Sequence, residues 1–263
     1  MTATTAPLRT PLPPFRAESV FIGRSIRHTL RNGEALVMAI ALPTILMLMF
    51  TFVFGGAIDP SGGYVDYVVP GTILTCAGYG ASYTAVAVSS DMTRGIIDRF
   101  RTMPIGGVAV LLGHVVASLA KNLVATAIVV GVAFAVGFRP DASALEWLGV
   151  VGIIALWILA ITTLFAAIGL ASGSPDAASG YGFILLFLPY VSSAFVPIDT
   201  LPDWLQGVAQ HQPVTPVIET IRGLLLGTPL ENQWLVAIAW CVGLIVASLV
   251  WGAWLYRRKA GRR

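Results

Sequence analysis

The sequence predicts an all-α integral membrane protein with six transmembrane helices and both termini in the cytoplasm. Three observations predict it. Of 263 residues, 56% are hydrophobic and only 11% are charged, with a mean hydropathy of +0.82. A soluble domain carries about 25% charged residues, so this chain cannot cover a globule with polar surface and must use the bilayer as its solvent. Six apolar runs approach the ~20 residues that a spanning helix needs. Lysine and arginine fall in alternate connections, the asymmetry expected of cytoplasmic loops.

The elements follow in order. Residues 1–14, rich in Thr and Pro, read as a disordered tail. Residues 15–34 read as an amphipathic interfacial helix: Ile22, Ile26 and Leu30 form one stripe, and Arg24, Arg27 and Arg31 lie nearly opposite. That pattern suits an anionic cytoplasmic leaflet; a simple topology signal made of positive charge is the plainer, second reading of the same arginines. This region has no apolar core long enough for a cleaved secretory signal, so the first span is expected to direct insertion and be retained. Spans are predicted at Ala35–Gly55, Tyr67–Ser90, Val108–Phe138, Trp147–Ala171, Ala177–Val196 and Trp234–Tyr256, within a transmembrane domain covering 35–256. Residues 257–263 form a basic cytoplasmic tail. The third run is longer than a span requires: at 1.5 Å per residue it reaches roughly 46 Å against a hydrocarbon core of about 30 Å. Its start, with Gly106, Gly107 and His114, is expected to project into the cytoplasm. Lys121 then sits near the inner interface and snorkels, and His114 reads as structural.

Orientation rests on the basic residues. Arg9, Arg16, Arg24, Arg27 and Arg31 precede the first span; Arg94, Arg99 and Arg101 follow the second; Arg257, Arg258, Lys259, Arg262 and Arg263 follow the last. With six spans, all three groups fall on one side. The other side holds only Arg139 and Arg222, among eight carboxylates that include Asp66, Asp203 and Glu219.

Two connections carry more than a turn. In residues 91–103, after the second span, Ile96, Phe100 and Met103 fall on one side of a helical wheel, and Arg94, Asp98 and Arg101 on the other. A short amphipathic helix on the cytoplasmic face is a docking element for a soluble partner. The connection Pro197–Gln233 is long for a plain loop, and two short re-entrant helices are expected within 199–230. One starts at Pro202-Asp203-Trp204-Leu205, with Trp204 in its first turn. The other has Thr215 as N-cap and Pro216 at its first position. In the second, Glu219 and Arg222 are three apart and can pair. Pro213 and Pro216 would break a seventh span. Gly223 and Gly227 are given a packing role.

The chain contains no Walker motif, no H-E-x-x-H and no C-x-x-C pattern. No catalytic or metal-ligating set is expected. Cys76 and Cys241 lie inside apolar runs and read as small buried hydrophobes. The predicted spans hold no Asp or Glu in their interiors and, among bases, only Lys121; the carboxylate relays of proton- or sodium-coupled transporters are missing. Aromatics populate the second and fifth spans. Tyr79, Tyr83, Tyr181, Phe187 and Tyr190 are candidates for lining a path for an amphiphilic or polycyclic cargo; ordinary interface belts and helix filler use the same residue types.

Together these features resemble the membrane subunit of a type-2 ABC exporter, the ABC-2 permease family, and in particular its daunorubicin-resistance-like members. The resemblance covers nearly the whole chain. It is carried by Arg94-Gly95-Ile96-Ile97-Asp98-Arg99-Phe100-Arg101-Thr102-Met103-Pro104-Ile105, which looks like the family's coupling helix, and by Leu201-Pro202-Asp203-Trp204-Leu205, His211-Gln212-Pro213-Val214 and Ile221-Arg222-Gly223. Asp98 and Ile96 depart mildly from the family pattern. The resemblance implies a permease without its own nucleotide site. It pairs with a second copy or a related permease, and two separately encoded ATP-binding subunits carry the ATP and Mg. Arg94, Ile96, Asp98, Arg99, Phe100, Arg101 and Met103 would engage the ATPase. The implied cargo is a hydrophobic drug, antibiotic or lipid-like molecule. A lipid-linked polysaccharide exporter, a secondary transporter and a non-transporting scaffold are the other readings. If Phe100 fills a groove on the ATPase, Phe100→Ala will uncouple transport from ATP hydrolysis while leaving the amount of protein in the membrane unchanged; a transport assay run beside a membrane immunoblot checks this.

Overall fold

The computed structural model describes residues 33–94 and 107–260. The predicted interfacial helix with Arg24, Arg27 and Arg31, and the coupling residues Ile96, Asp98, Arg99, Phe100, Arg101 and Met103, lie outside the described residues. The described chain is helical, and no strand forms among the described residues. The helices are α1 Gly33–Met49, α2 Tyr64–Thr93, α3 Gly107–Val136, α4 Ala144–Ala171, α5 Pro175–Leu185, α6 Asp203–His211, α7 Val214–Leu226 and α8 Gln233–Ala260. After α1 the same rod continues as a π-helical run, Phe50–Phe54, and a last short turn, Gly55–Ile58.

Four stretches among the described residues are long and apolar enough to cross a membrane: Val37–Ile58, Gly113–Val136, Ala144–Ala171 and Gln233–Leu255. They match four of the six predicted spans. The second predicted span is present as α2, long but not among these four. It packs against α1, α3, α4, α5 and α7. Its neighbours are protein, so it carries Thr72, Thr75, Thr84 and Ser89, all buried, where a lipid-facing helix would carry Leu or Val.

The fifth predicted span, Ala177–Val196, does not form as one helix. α5 stops at Leu185 after 11 residues, roughly 16 Å of rise, about half a hydrocarbon core. The chain tightens at Leu186, whose N–H is shared between Gly182 and Phe183 carbonyls. It then makes a 3-10 turn at Leu188–Val191. Pro189 has no N–H to continue an α-helix and closes off that register.

The ends are capped as the sequence allows. Ser143 and Glu146 form a reciprocal capping box at the start of α4, and Ser174 caps α5. Asp59 turns the chain between α1 and α2. Its carboxylate accepts from the Ser61 hydroxyl and backbone N–H, which lowers its pKa below the usual range. Thr215 is not the N-cap of α7: Pro213 holds that place, and the Thr215 hydroxyl donates to the Ala209 carbonyl, tying α7 to α6. Pro216 sits two residues further in than expected, still in the first turn, where its missing N–H costs nothing. Gly227 ends α7 with φ +69°, a left-handed C-cap that favours glycine. Gly223 packs on Leu230 and Thr228, whose atoms lie 2.6 and 3.0 Å from where its Cβ would be.

Close helix contact depends on small residues. Asn122 of α3, fully buried, lies over Gly80 of α2, with its Oδ1 only 1.4 Å from the place a Cβ would occupy. Asn122 also donates to Ser118 (3.2 Å), which accepts from Thr84 of α2 (2.9 Å). At Gly169 of α4 a Cβ would come within 2.5 Å of the Ala85 carbonyl oxygen of α2. Gly80→Ala and Gly169→Ala should each cost about 1–3 kcal/mol by overpacking, lowering the melting temperature in detergent and the folded yield. Gly131→Ala, a position with open space around it, should leave both unchanged.

Candidate functional site

Three groups of side chains stand out: one where α2 and α3 meet beside the coupling segment, one on α1 and α5, and one around Arg222.

The segment that the sequence reading takes as a coupling helix is flanked by α2 and α3. Asp91, read from the sequence as its first residue, belongs to the last turn of α2, and Arg94 forms the turn that ends that helix. His114 Nε2 of α3 lies 3.0 Å from Asp91 Oδ2. This pair joins the two helices at the base of residues 95–106, so the structural reading of His114 acquires a definite partner. Further along the same helix pair, the Lys121 ammonium sits over the Tyr83 ring, 5.0 Å from its centroid.

The aromatic candidates do not all converge. Phe187 and Tyr190 lie in one continuous row of rings that sequence reasoning only half saw. Phe183 meets Phe187 edge-on at 5.1 Å, and Phe187 meets Tyr190 at 6.0 Å. Tyr190 stacks on Phe195 at 5.0 Å, Phe195 on Phe50 at 4.6 Å, and Phe50 contacts Phe54 at 5.6 Å. Centroid spacings of 4.5–7 Å are those of favourable aromatic pairs. Tyr79 is close enough to Tyr190 for their hydroxyls to interact. The row therefore runs from α5, through the turns after it, to the π-helical end of the first span. Phe183 and Phe187 are largely exposed at one end, and Phe54 is partly exposed at the other. Tyr181 is exposed on α5 outside this row, and Tyr83 instead carries Lys121. Phe50, Phe54 and Phe195 were missed because no periodicity connects residues 50 and 195; the aromatic density of Phe50-Thr51-Phe52-Val53-Phe54 was the available signal.

Arg222 is the third group. The predicted pair with Glu219 forms at 2.6 Å, but Arg222 is only 7% exposed and reaches well beyond its own helix. Its guanidinium stacks on the Tyr67 ring at 3.9 Å and donates to the Tyr67 carbonyl (3.1 Å) and the Ser193 carbonyl (2.8 Å). A planar fork with several donors suits this task, and a lysine could not do it. Trp204 of α6 is 77% exposed. No cluster of His, Cys, Asp or Glu able to hold a metal occurs among the described residues.

Residues 18–226 match the ABC-2 type transporter family. The chain belongs to that family. It is 31% identical over 228 residues to a daunorubicin resistance ABC transporter permease protein of Streptomyces coeruleorubidus, covering 85% of this chain and 80% of that one. It is 26% identical over 242 residues to a probable doxorubicin resistance ABC transporter permease protein of Mycobacterium tuberculosis, covering 89% and 86%. A third relative, an inner membrane transport permease of Escherichia coli, is 26% identical over 234 residues, covering 81% and 88%. The chain is thus a membrane-embedded transport component of a family that works with an ATP-binding subunit.

Removing the Arg222 guanidinium deprives the Ser193 carbonyl of its donor, takes the cation from the Tyr67 ring and leaves Glu219 without its partner. Arg222→Ala should cost roughly 3 kcal/mol, and Arg222→Lys should recover only part of that, because an ammonium cannot stack and donate in three directions. Melting of the purified variants in detergent measures both.

Proposed function

We propose that this chain is the permease subunit of an ATP-driven exporter that moves hydrophobic, aromatic, drug-like molecules outward across the membrane. The ATP is hydrolysed by a separate subunit, and this chain holds no nucleotide site. The reading rests first on the likeness to daunorubicin- and doxorubicin-resistance permeases along most of the chain. The continuous aromatic row agrees with it: a strip of π faces, exposed at both ends, is suited to a flat apolar cargo.

In this reading the chain crosses the membrane six times, with α2 as the second crossing and α5 together with the turns after it as the fifth. The helices α6 and α7 lie on the outer side without crossing. Two permeases pair and two ATPases dock beneath them, each taking the coupling helix 91–103 into a cleft. Ile96, Phe100 and Met103 fill that cleft, and Arg94, Arg99 and Arg101 pair with acidic residues at its rim. The His114–Asp91 contact carries ATPase movement into α2 and α3 together, because a segment anchored at both ends moves its two helices as one.

A mild-detergent pull-down of the tagged chain from its native membrane, with the eluate assayed for ATP hydrolysis, tests this. A P-loop ATPase should co-purify and be lost when Phe100 and Arg101 are both changed to alanine. An eluate with no nucleotide-hydrolysing partner would overturn the exporter reading.

A further inference from the structure

Lys121 is a charge at membrane depth. It lies eight residues inside the apolar stretch Gly113–Val136, about 12 Å of rise from the nearer end. Val116, Ala120 and Val124 beside it are exposed, so Lys121 borders the lipid-facing side of α3. Its ammonium is held over the Tyr83 ring of α2, not at the helix end where water begins. An ammonium has three N–H donors, and those of Lys121 find no acceptor among the described residues. The nitrogen is nevertheless absent from the unpartnered polar atoms sealed inside the bundle, so it can be reached from outside. A cation in that position is costly unless an anion answers it, and no carboxylate of the described residues pairs with it.

The surroundings leave room for that anion. α2 and α3 run antiparallel, and their polar contacts keep one register: Tyr83 with Lys121, Thr84 with Ser118, Asp91 with His114. The same register brings Ala87 opposite Ala117, between the first pair and the last. Ala87 is exposed and Ala117 is buried beneath the surface, so the floor is low along the seven residues from His114 to Lys121, about 10 Å of rise. Asp91, the carboxylate at the lower end, is already matched by His114. Arg94, exposed and one turn further along α2, adds a second cation.

We propose that Lys121 binds the phosphate of an anionic phospholipid that lies along the seam of α2 and α3, with its headgroup over Ala87 and Ala117. A bilayer thins locally around a charge held at depth, which brings the phosphate to the ammonium. That the lipid belongs to the inner leaflet rests on the six-crossing reading; binding itself requires neither ATP nor a partner.

The test uses the full chain, delipidated in detergent, with bound lipid counted by native mass spectrometry. Dioctanoyl phosphatidylglycerol should fill one site per chain saturably. Dioctanoyl phosphatidylcholine, with the same phosphate and tails but no net charge, should bind about fivefold more weakly, the worth of one basic residue against an anionic lipid. Lys121→Gln should abolish this preference, and Lys121→Arg, which keeps the charge, should retain it. Ala87→Leu, at an exposed position, should weaken phosphatidylglycerol by covering the low floor. Arg258→Gln removes an exposed cation of α8 and should change nothing. The proposal is overturned by equal binding of the two lipids, by a preference that survives Lys121→Gln, or by one that Lys121→Arg loses as fully as Lys121→Gln. An equal loss in Arg258→Gln would also overturn it, by reducing the effect to general positive charge. Failure of the exporter reading would appear in the pull-down and leave this titration unaffected.

Discussion

The structure depends on how it satisfies the backbone where its fifth long apolar run breaks. Inside a bilayer, every carbonyl must find a donor from the protein itself. Between Leu186 and Pro197 there is only the 3-10 turn at Leu188–Val191 and the Ser192 hydroxyl, which donates to the Pro189 carbonyl. Side chains from elsewhere supply further donors. Gln212 donates to the Leu188 and Val191 carbonyls (3.2 and 2.6 Å). Arg222 donates to Ser193, and the Tyr64 hydroxyl to Phe195 (2.6 Å). Gln212 and Arg222 belong to the region of α6 and α7. Those short helices are therefore the source of hydrogen bonds for the break, and the break in turn presents Tyr190 and Phe195 to Phe50. Gly71 allows this arrangement, since a Cβ there would come within 2.6 Å of Ala194.

The second constraint is the enclosure of α2. Its small and hydroxylated residues let α3 and α4 approach closely, which is how membrane helices associate when no hydrophobic effect separates them from lipid. The seam of Thr84, Ser118 and Asn122 is one product; the contact of Gly169 with the Ala85 carbonyl is another. α2 touches both the break after α5 and, through His114, the place where residues 95–106 begin, so it connects the two ends of the bundle. Its 30 residues amount to about 45 Å of rise.

The aromatic row and a cavity of about 180 Å3 between α2, α4, α7 and α8 lie close together. The row exposes rings at both ends and suits transient contact along a path. The cavity is apolar and only partly open. Both adjoin the break: Tyr190 and Phe195 belong to the row, while Leu186 and Pro189, in the same stretch of chain, belong to the cavity wall. Interrupting a helix there frees backbone to bend around such features, as broken helices do at the binding sites of other transporters.

The sequence by itself determined the all-helical class, the membrane as solvent, the ends of most long helices to within a few residues and the Glu219–Arg222 pair. These follow from hydropathy, period and spacing, all local properties that a chain carries before it folds. The family was legible for the same reason, since its motifs are contiguous. The tertiary structure alone decided the rest. Pro189 lies inside the fifth apolar run, yet whether such a helix bends or stops depends on whether distant donors can satisfy its freed carbonyls, and Gln212 and Arg222 can. Thr215 looked like a cap, but a nearby carbonyl at Ala209 claimed its hydroxyl. The aromatic row joins residues more than 140 positions apart, and the partner of His114 lies 23 residues away. Such contacts are set by which helices pack side by side, and helix packing is decided by close approach at glycines such as Gly80 and Gly169, whose importance appears only when the facing Asn122 and Ala85 are in place.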